Sequence, residues 1–479
     1  MDLTRPTLAL VGGRLVGAVA TFVIPMVLVR VFTPDDVGTY RELFLIFTSL
    51  YVLLQFGVSE SLYYFVPRRT GAGGAFVANT VVALGAIGLL CAIAGPLAAP
   101  AVAGWFGNAA LEAYVPLVGV FLGLMLAAAG LEIVMISRRR YALAAVTYAG
   151  SDALRAAALV VPPLVFGGVD ALLYGAIAFA ALRLAFQLVY LRREFGPELR
   201  LHLPSWTLQM AYVLPFGAAV TIEVLQVYYH QYAVASWFDT ATFAIYTFGC
   251  LQIPVVELLG TSAINVMMVA MGDRAGDRDA LLGLWQATVA RLAMMFLPLA
   301  ALLLIVAHDL ITLLFTDAFA AAAPIFMLSL AFIVLYVLPV DGALRAFART
   351  RFILGMNVFR LLFIAVSIGW FVTSFGLIGA MLATVAATAM VKLAALMRIG
   401  QVLHASPAGL LPWRSLALTA TATAVAAAPA ALVQAELALP KLASLALVSV
   451  VFGVTYLAIL AVGRARPALA VVPQEERAR

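Results

Sequence analysis

The sequence predicts an all-α polytopic membrane protein with about 14 transmembrane helices, and its composition gives the first indication. Of the 479 residues, 65% are hydrophobic and 11% are charged, whereas soluble chains carry about 45–50% apolar and about 25% charged residues. The apolar residues also occur in runs of about 20, the length that an α-helix needs to cross a bilayer. These two observations exclude a series of soluble domains, a disordered chain and a disulfide-rich scaffold.

Apolar runs separated by charged or turn residues give fourteen predicted spans. They lie near residues 8–31, 40–65, 75–99, 114–136, 142–166, 169–191, 206–236, 241–270, 281–307, 322–344, 352–374, 376–398, 415–435 and 442–463. Arginine-rich loops, such as Arg138–Arg140, follow the even-numbered spans, and acidic loops, such as Asp35–Asp36, follow the odd-numbered ones. Because basic loops stay on the cytoplasmic side, both termini are predicted to be cytoplasmic.

Similar residues recur 206 to 211 positions apart, which predicts an internal repeat. The matched residues are Phe32 and Phe238, Tyr40 and Tyr246, Arg68 and Arg274, Pro116 and Pro324, and Arg138 and Arg140 with Arg349 and Arg351. Six spans per repeat give both halves the same orientation, as in a parallel pseudo-two-fold repeat. We therefore predict an N-lobe at 1–200, a C-lobe at 201–400, and two extra helices with a cytoplasmic tail at 401–479. A single unrepeated bundle is the alternative.

Two such lobes would enclose a central cavity that opens alternately to each side of the membrane. Charged residues at mid-membrane depth cost about 3 kcal/mol or more and usually face such a cavity. The polar and charged candidates are Arg14, Arg30, Arg41, Gln55, Glu60, Glu223, Gln226, His230, Glu257 and Arg291, and Pro25 is a candidate hinge in the first span. Most of them lie in spans one, two, seven and eight, the opening pair of each repeat. The alternative is that these charges pair with one another for structural reasons alone.

Motifs that would indicate an enzyme are absent from the sequence. It contains no nucleotide-binding glycine motif and no helical His-Glu metalloprotease motif. Cys91 and Cys250 fall within apolar runs, which argues against a disulfide framework or a metal site. We therefore expect a protein that is not an enzyme, with no cofactor, no metal and no nucleic acid partner. H+ or Na+ gradients, or the membrane potential, would supply energy for transport.

Two short segments are similar to signatures of a known family. Residues 31–40, VFTPDDVGTY, resemble the apolar-x-x-Pro-x-x-x-Gly-x-Tyr signature of polysaccharide flippases, and residues 56–68, FGVSESLYYFVPR, resemble the end of their second span. The chain thus resembles the Wzx-type branch of the multidrug/oligosaccharidyl-lipid/polysaccharide (MOP) exporter superfamily. The resemblance implies a MATE-like arrangement, in which two six-helix lobes form a V around a cavity.

The resemblance also implies a function and a location. Such flippases move an undecaprenyl-diphosphate-linked oligosaccharide, the repeat unit of O-antigen (lipopolysaccharide) or exopolysaccharide, from the cytoplasmic to the outer leaflet of the bacterial inner membrane. Arginine forms paired hydrogen bonds with phosphate, so the candidates for binding diphosphate and sugar are Arg14, Arg30, Arg41, Gln55, Gln226 and Arg291. The candidates for ion coupling are Glu60, Glu223, His230 and Glu257. Expected partners are the lipid-linked oligosaccharide and membrane lipids, together with a polysaccharide polymerase and glycosyltransferases.

Three other functions stay open at this point. A lipid II flippase of the same superfamily, which handles a peptidoglycan precursor, also has fourteen spans. A cation-coupled multidrug exporter belongs to a branch with typically twelve spans and an acidic binding site, so the extra pair of spans and the basic residues count against it. A non-transporting scaffold of a glycan-synthesis complex would tolerate neutral substitution of the mid-membrane charges.

Overall fold

The chain is helical along almost its whole described length. The computed structural model describes residues 17, 19–20, 22–68, 73–274, 276–437 and 439–468, and no strand occurs among them. The helices, in chain order, are α1 (Phe22–Val31), α2 (Pro34–Gln55), α3 (Leu62–Arg68), α4 (Gly73–Phe106), α5 (Leu111–Ala127), α6 (Leu131–Ser137), α7 (Tyr141–Phe166), α8 (Gly168–Phe195), α9 (Leu203–Trp237), α10 (Thr240–Gly249), α11 (Pro254–Asp273), α12 (Arg278–Ile305), α13 (Ala307–Phe315), α14 (Ala323–Ser329), α15 (Ala331–Tyr336), α16 (Val340–Ala346), α17 (Thr350–Phe375), α18 (Leu377–Leu403), α19 (Pro407–Leu410), α20 (Trp413–Glu436) and α21 (Lys441–Ala468). Two short 3₁₀ helices lie at Gly196–Glu198 and Asp317–Ala322.

Thirteen helical segments in the described part of the chain are long and apolar enough to cross a membrane. They correspond one to one with the predicted spans two to fourteen, so the prediction of an all-α polytopic protein is confirmed. The predicted first span, 8–31, is described mainly in its last ten residues, as α1. The remainder of that span lies outside the described residues.

Several spans that the sequence presents as continuous helices are broken. The second span stops at Gln55, where Phe56 and Gly57 take left-handed backbone angles with φ of 48° and 76°. The predicted helix 40–65 is therefore wrong in its continuity, as is 241–270, which is divided between α10 and α11. Pro254 begins α11, a position where its missing N–H costs no helical hydrogen bond.

Contacts between Cα atoms divide the chain into two compact units, residues 1–247 and 248–479. The first unit thus holds α1 to α9 and most of α10. Its α4 and α5 approach closely through glycines, because a Cβ atom at Gly88 would lie 2.5 Å from the Gly123 carbonyl oxygen. Small residues permit such close helix packing in membranes. The predicted division into lobes at residues 200 and 400 stays a prediction.

A buried ion pair ties the short helix α6 to α8 within the first unit. Arg183 donates to both carboxylate oxygens of Glu132 over 2.8 and 2.6 Å, and also to Ser151 Oγ over 2.6 Å. One turn along α8, Gln187 Nε2 donates to the Ala127 carbonyl oxygen over 2.7 Å. Because Ala127 ends α5, this bond satisfies a carbonyl that helix termination leaves without a partner.

The second unit contains an equivalent arrangement between α16 and α18. Lys392 Nζ donates to the Leu338 carbonyl oxygen over 2.9 Å, at the break before α16, and lies 3.7 Å from Asp341. Glu132 and Asp341 are each the second residue of a seven-residue helix. In both units, a basic residue on the last helix of the repeat therefore contacts the broken fourth span: Arg183 on α8 in the first unit and Lys392 on α18 in the second.

Backbone conformation fixes the register of the internal repeat. Left-handed residues occur at Gly107, Arg139 and Gly167, and again at the same offset at Thr316, Ala348 and Gly376. The 26-residue helices α7 and α17 follow the second of these pairs at identical positions. The repeat is confirmed, but the sequence match of Arg138 and Arg140 with Arg349 and Arg351 is wrong by two residues, since Arg139 is equivalent to Ala348.

The last two spans pack on α12 and α13 within the second unit. Their apolar contact includes Ala426 and Phe452, beside Val306. A polar cluster fixes the same contact, because Asp309 Oδ2 accepts hydrogen bonds from Gln434 Nε2 over 2.7 Å and from Ser444 Oγ over 3.1 Å. The appended helices α20 and α21 are therefore an integral part of the C-terminal unit.

Candidate functional site

A cavity of about 340 Å³ lies in the first unit, beside the break that ends α2. Residues from both sides of the break form one wall and the middle of α9 forms the other. The lining residues are Val52, Gln55, Gly57, Glu60, Phe216, Val220, Glu223, Val224, Val227 and Tyr228. Ligand cavities in proteins measure about 300–1,000 Å³, so the space is large enough for a small organic ligand.

Reciprocal contacts between aromatic rings and glycines position the break against α9. A Cβ atom at Gly57 would lie 2.3 Å from the Phe216 ring, and a Cβ atom at Gly217 would lie 2.2 Å from the Phe56 ring. Gly57 is also left-handed, a conformation that glycine adopts at little steric cost. The sequence Phe56-Gly57 therefore both ends α2 and allows α9 to approach closely enough to form the cavity wall.

Polar side chains on the α2 side of the cavity form a connected chain. Gln55 Nε2 donates to the Tyr51 carbonyl oxygen over 3.1 Å, which fixes the orientation of its amide. Ser59 Oγ lies 2.6 Å from Gln55 Oε1 and 3.1 Å from Glu60 Oε2. Since a serine hydroxyl has one hydrogen, it can serve only one of these oxygens fully. The Glu60 carboxylate therefore keeps acceptor capacity for a ligand.

A second carboxylate, Glu223, lines the cavity from α9. Both Glu60 and Glu223 are exposed side chains. Among the described residues, neither carboxylate lies within ion-pair distance of a basic group. The described lining is thus acidic, and can accept hydrogen bonds from hydroxyl groups or attract a cation.

Two further predicted residues follow Glu223 along α9 but are buried. Gln226 is 3% exposed, and its Nε2 has no hydrogen-bond acceptor among the described residues. His230 Nδ1 lies 2.7 Å from the Tyr246 hydroxyl group of α10. This contact is what a packing histidine would make, the alternative to an ion-coupling role, and the role of His230 stays a prediction.

Hydrogen bonds join α2 to α9 and α10 within the first unit. Arg41 Nε donates to Thr247 Oγ1 over 2.8 Å. Ser49 Oγ and the Tyr232 hydroxyl group lie 2.6 Å apart. The half-buried Arg41 thus contacts α10, and it is not among the residues that line the cavity.

The structure places the other predicted site residues elsewhere. Arg14 lies outside the described residues. Arg30 is exposed near the end of α1, where it donates to the Met26 carbonyl oxygen, and Pro25 is buried within α1. Glu257 and Arg291 are exposed on α11 and α12 of the second unit. Of the predicted set, the cavity brings together Gln55, Glu60 and Glu223.

One polar residue that sequence analysis missed is Glu42, which is completely buried on α2. Its place beside Arg41 in an apolar span was the available signal. Glu132, Arg183 and Arg360 are further charges inside apolar spans, which the sequence suggests as ion pairs within a lobe without showing which residues pair; the structure pairs Glu132 with Arg183.

The long apolar helices, the broken spans and the internal repeat define a class, which is a multi-pass α-helical membrane protein. Solved structures with this fold include the lipid II flippase MurJ in an inward closed conformation, with a TM-score of 0.74 and 11% identity over 97% of this chain and 99% of that one. An inward-facing MATE family multidrug resistance transporter gives a TM-score of 0.58 at 15% identity, over 81% of this chain and 95% of its own.

A MOP superfamily transporter from Pyrococcus furiosus is also similar, with a TM-score of 0.52 and 14% identity over 84% of this chain and 96% of that chain. The sequence profile of the polysaccharide biosynthesis protein family matches residues 27–324, more than half of the chain. The chain therefore belongs to this polysaccharide biosynthesis protein family. Comparison with curated protein sequences gives no significant match.

Proposed function

We propose that this transporter flips undecaprenyl-diphosphate-linked oligosaccharide repeat units from the cytoplasmic to the outer leaflet of the bacterial inner membrane by alternating access. The observation that carries the proposal is the cavity at the break of α2, lined by Gln55, Glu60 and Glu223 in a chain of the polysaccharide biosynthesis protein family. Carboxylate and amide groups hydrogen-bond sugar hydroxyls. The Phe216 and Tyr228 rings supply apolar surface for the faces of a sugar ring.

The acidic lining also bears on how the substrate is held. A diphosphate would be repelled by Glu60 and Glu223, so we assign the sugar portion to the cavity. We assign the diphosphate to the arginine candidates, since guanidinium groups bind phosphate through paired hydrogen bonds. Arg14, Arg30, Arg41 and Arg291 stay candidates for that role.

The experiment that tests the sugar-binding role measures surface polysaccharide in cells that carry Glu60→Gln, Glu223→Gln or both substitutions. A hydrogen bond to a charged group contributes about 1.5–3 kcal/mol, so each variant should export roughly 10- to 100-fold less at equal abundance in the membrane. Glu112→Gln, which neutralises an exposed carboxylate at the start of α5, is the matched control and should export normally. Normal export by the double variant would refute the assigned role.

The basic loops support a topology with both termini in the cytoplasm, because arginine-rich loops follow each even-numbered span. Reporter enzymes that are active only outside the inner membrane, fused after residues 140 and 200, should be inactive. The same reporter fused at residue 167, between α7 and α8, should be active. The opposite pattern of reporter activity would contradict the proposed topology with both termini in the cytoplasm.

Lipid II flipping is the second candidate function. The structural similarity to MurJ extends over 97% of this chain, including the last two helices. This extent of similarity supports lipid II as an alternative substrate. The two functions separate genetically. Loss of an oligosaccharide flippase abolishes surface polysaccharide in living cells, whereas loss of the cell's lipid II flippase stops peptidoglycan synthesis and causes lysis.

A further inference from the structure

Glu42 is a carboxyl group in the interior of the first unit that has no counter-ion within the part of the chain that the structure describes. The residue is 0% exposed. Its Oε2 accepts one hydrogen bond, from Asn108 Nδ2 over 2.7 Å, and Oε1 has no hydrogen-bond partner among the described residues. The same Asn108 amide group contacts Thr39 Oγ1 at 3.0 Å, so the turn between α4 and α5 is fixed on α2 through these two side chains.

Glu132, in contrast to Glu42, is a buried carboxylate with a counter-ion. Two hydrogen bonds from Arg183 compensate the charge of Glu132. No basic side chain lies within ion-pair distance of Glu42 among the described residues. Burial of a lone carboxylate is so unfavourable that such a group takes up a proton instead, and Asn108 alone does not replace a counter-ion.

The ionisable groups on the surrounding elements do not change this conclusion. On α2, Asp35 is exposed, Asp36 is half-buried, and Arg41 contacts Thr247 of α10. Glu112 at the start of α5 and Asp239 just before α10 are exposed carboxylates. Negative groups would disfavour a second charge on Glu42. Tyr40, the buried neighbour of Arg41 on α2, is neutral in its ordinary state.

Glu42 also lies where three elements of the first unit converge. Thr240 at the start of α10 faces the carboxyl group together with Asn108. Near it, α2 and α10 are in direct backbone contact, because a Cβ atom at Gly38 would lie 2.1 Å from the Thr240 carbonyl oxygen. Any separation of α10 from α2 would therefore admit water to the Glu42 carboxyl group.

We propose that Glu42 is a proton-binding site of this transporter, protonated while α2, α10 and the α4–α5 turn are in contact. We call the contact between these three elements the junction. When the junction opens, the O–H bond of the carboxyl group breaks, the proton passes to water, and a hydrated carboxylate remains. Proton binding is then linked to closure, because the ionised form is compatible only with the open junction. The use of this proton in transport rests on the proposed flippase function, whereas its location does not.

Infrared spectroscopy of the purified full chain in lipid nanodiscs tests the location without any substrate. A protonated carboxylic acid has a C=O absorption distinct from that of a carboxylate. At neutral pH, wild type and the control Glu60→Gln should show this absorption, and Glu42→Gln should lack it completely. Gln keeps an oxygen for the Asn108 hydrogen bond, so this variant should unfold at the same temperature as wild type.

Two results would overturn the proposal. One is an identical protonated-acid absorption in wild type and Glu42→Gln. The other is absence of that absorption from wild type at neutral pH, which decides the question even if the variant does not fold. Neither result affects the flippase proposal, which is tested by surface polysaccharide in the Glu60 and Glu223 variants.

Discussion

Replacing Glu132 by Gln should destabilise the protein by about 3–5 kcal/mol, because it leaves Arg183 as a buried cation without its counter-ion. The side chains of Glu132 and Arg183 are only 5% and 13% exposed, and both of their hydrogen bonds are shorter than 3 Å. The pair also holds α6 on α8, so its loss releases the segment that follows the break after α5.

The second unit supplies a matched control at the equivalent position. Asp341 is 54% exposed and lies 3.7 Å from Lys392, whose ammonium group is buried but also donates to the Leu338 carbonyl oxygen. This long pair with an exposed carboxylate should contribute about 0.2–1 kcal/mol, close to the value for exposed ion pairs. Asp341→Asn should therefore cost less than about 1 kcal/mol. The same chemical change at two repeat-related sites thus has an effect that differs several-fold, solely because of burial and geometry.

The free energy of unfolding is measured in mixed micelles with increasing mole fractions of a denaturing detergent. A double-mutant cycle with Glu132→Gln and Arg183→Gln separates the interaction of the pair from the two single losses. The double variant should be more stable than the Glu132→Gln single variant, since it buries no unpaired charge. Equal destabilisation by Glu132→Gln and Asp341→Asn, or additive losses in the cycle, would refute the assignment of a buried ionised pair.

Three smaller effects follow from the same structure. Gly57→Ala should lower stability by at least about 1 kcal/mol, because Ala would be left-handed and its Cβ would overlap the Phe216 ring; an unchanged unfolding temperature would contradict the close approach. Hydrogen bonds from Thr242 hold the pKa of Asp239 below its ordinary value. The Asp239 carboxylate therefore stabilises the folded state above the unfolded-state pKa, and this stabilisation is lost as pH falls through the folded-state pKa. Asp239→Asn should remove that contribution to the pH dependence of unfolding between about pH 5 and pH 3, and an unaltered profile would disprove it. Asp309→Leu should cost about 1–3 kcal/mol by leaving Gln434 Nε2 of α20 without its acceptor, measurable as faster proteolysis of α20 and α21, whereas protection equal to wild type would show that apolar contacts suffice.

Hydropathy predicted the spans because each membrane-crossing helix needs its own apolar run. Their breaks were not predictable in the same way, since the apolar pattern continues past Gln55 through Phe56, and a left-handed Phe is rare. That conformation depends on the packing of Phe56 over Gly217 of α9, a contact distant in sequence. Local sequence patterns do not encode such a contact.

The candidate site was predictable in part. Polar and charged residues in the apolar spans two and seven identified Gln55, Glu60 and Glu223, which line one cavity. Glu42 escaped notice because burial, not residue type or spacing, distinguishes it from the exposed carboxylates. The sequence marks Glu132 and Arg183 as charges inside apolar spans, but their specific pairing depends on the packing of residues that are 51 positions apart along the chain.

The measurement that tests the proposed function most directly is flipping by the purified protein in proteoliposomes. A fluorescent undecaprenyl-diphosphate oligosaccharide is placed in one leaflet, and its arrival in the other leaflet is followed by a membrane-impermeant quencher. We predict flipping by wild type and by Glu112→Gln, and at least a tenfold slower rate for the variant that lacks both Glu60 and Glu223. Flipping of lipid II but not of the oligosaccharide, or equal rates for all three proteins, would contradict the account.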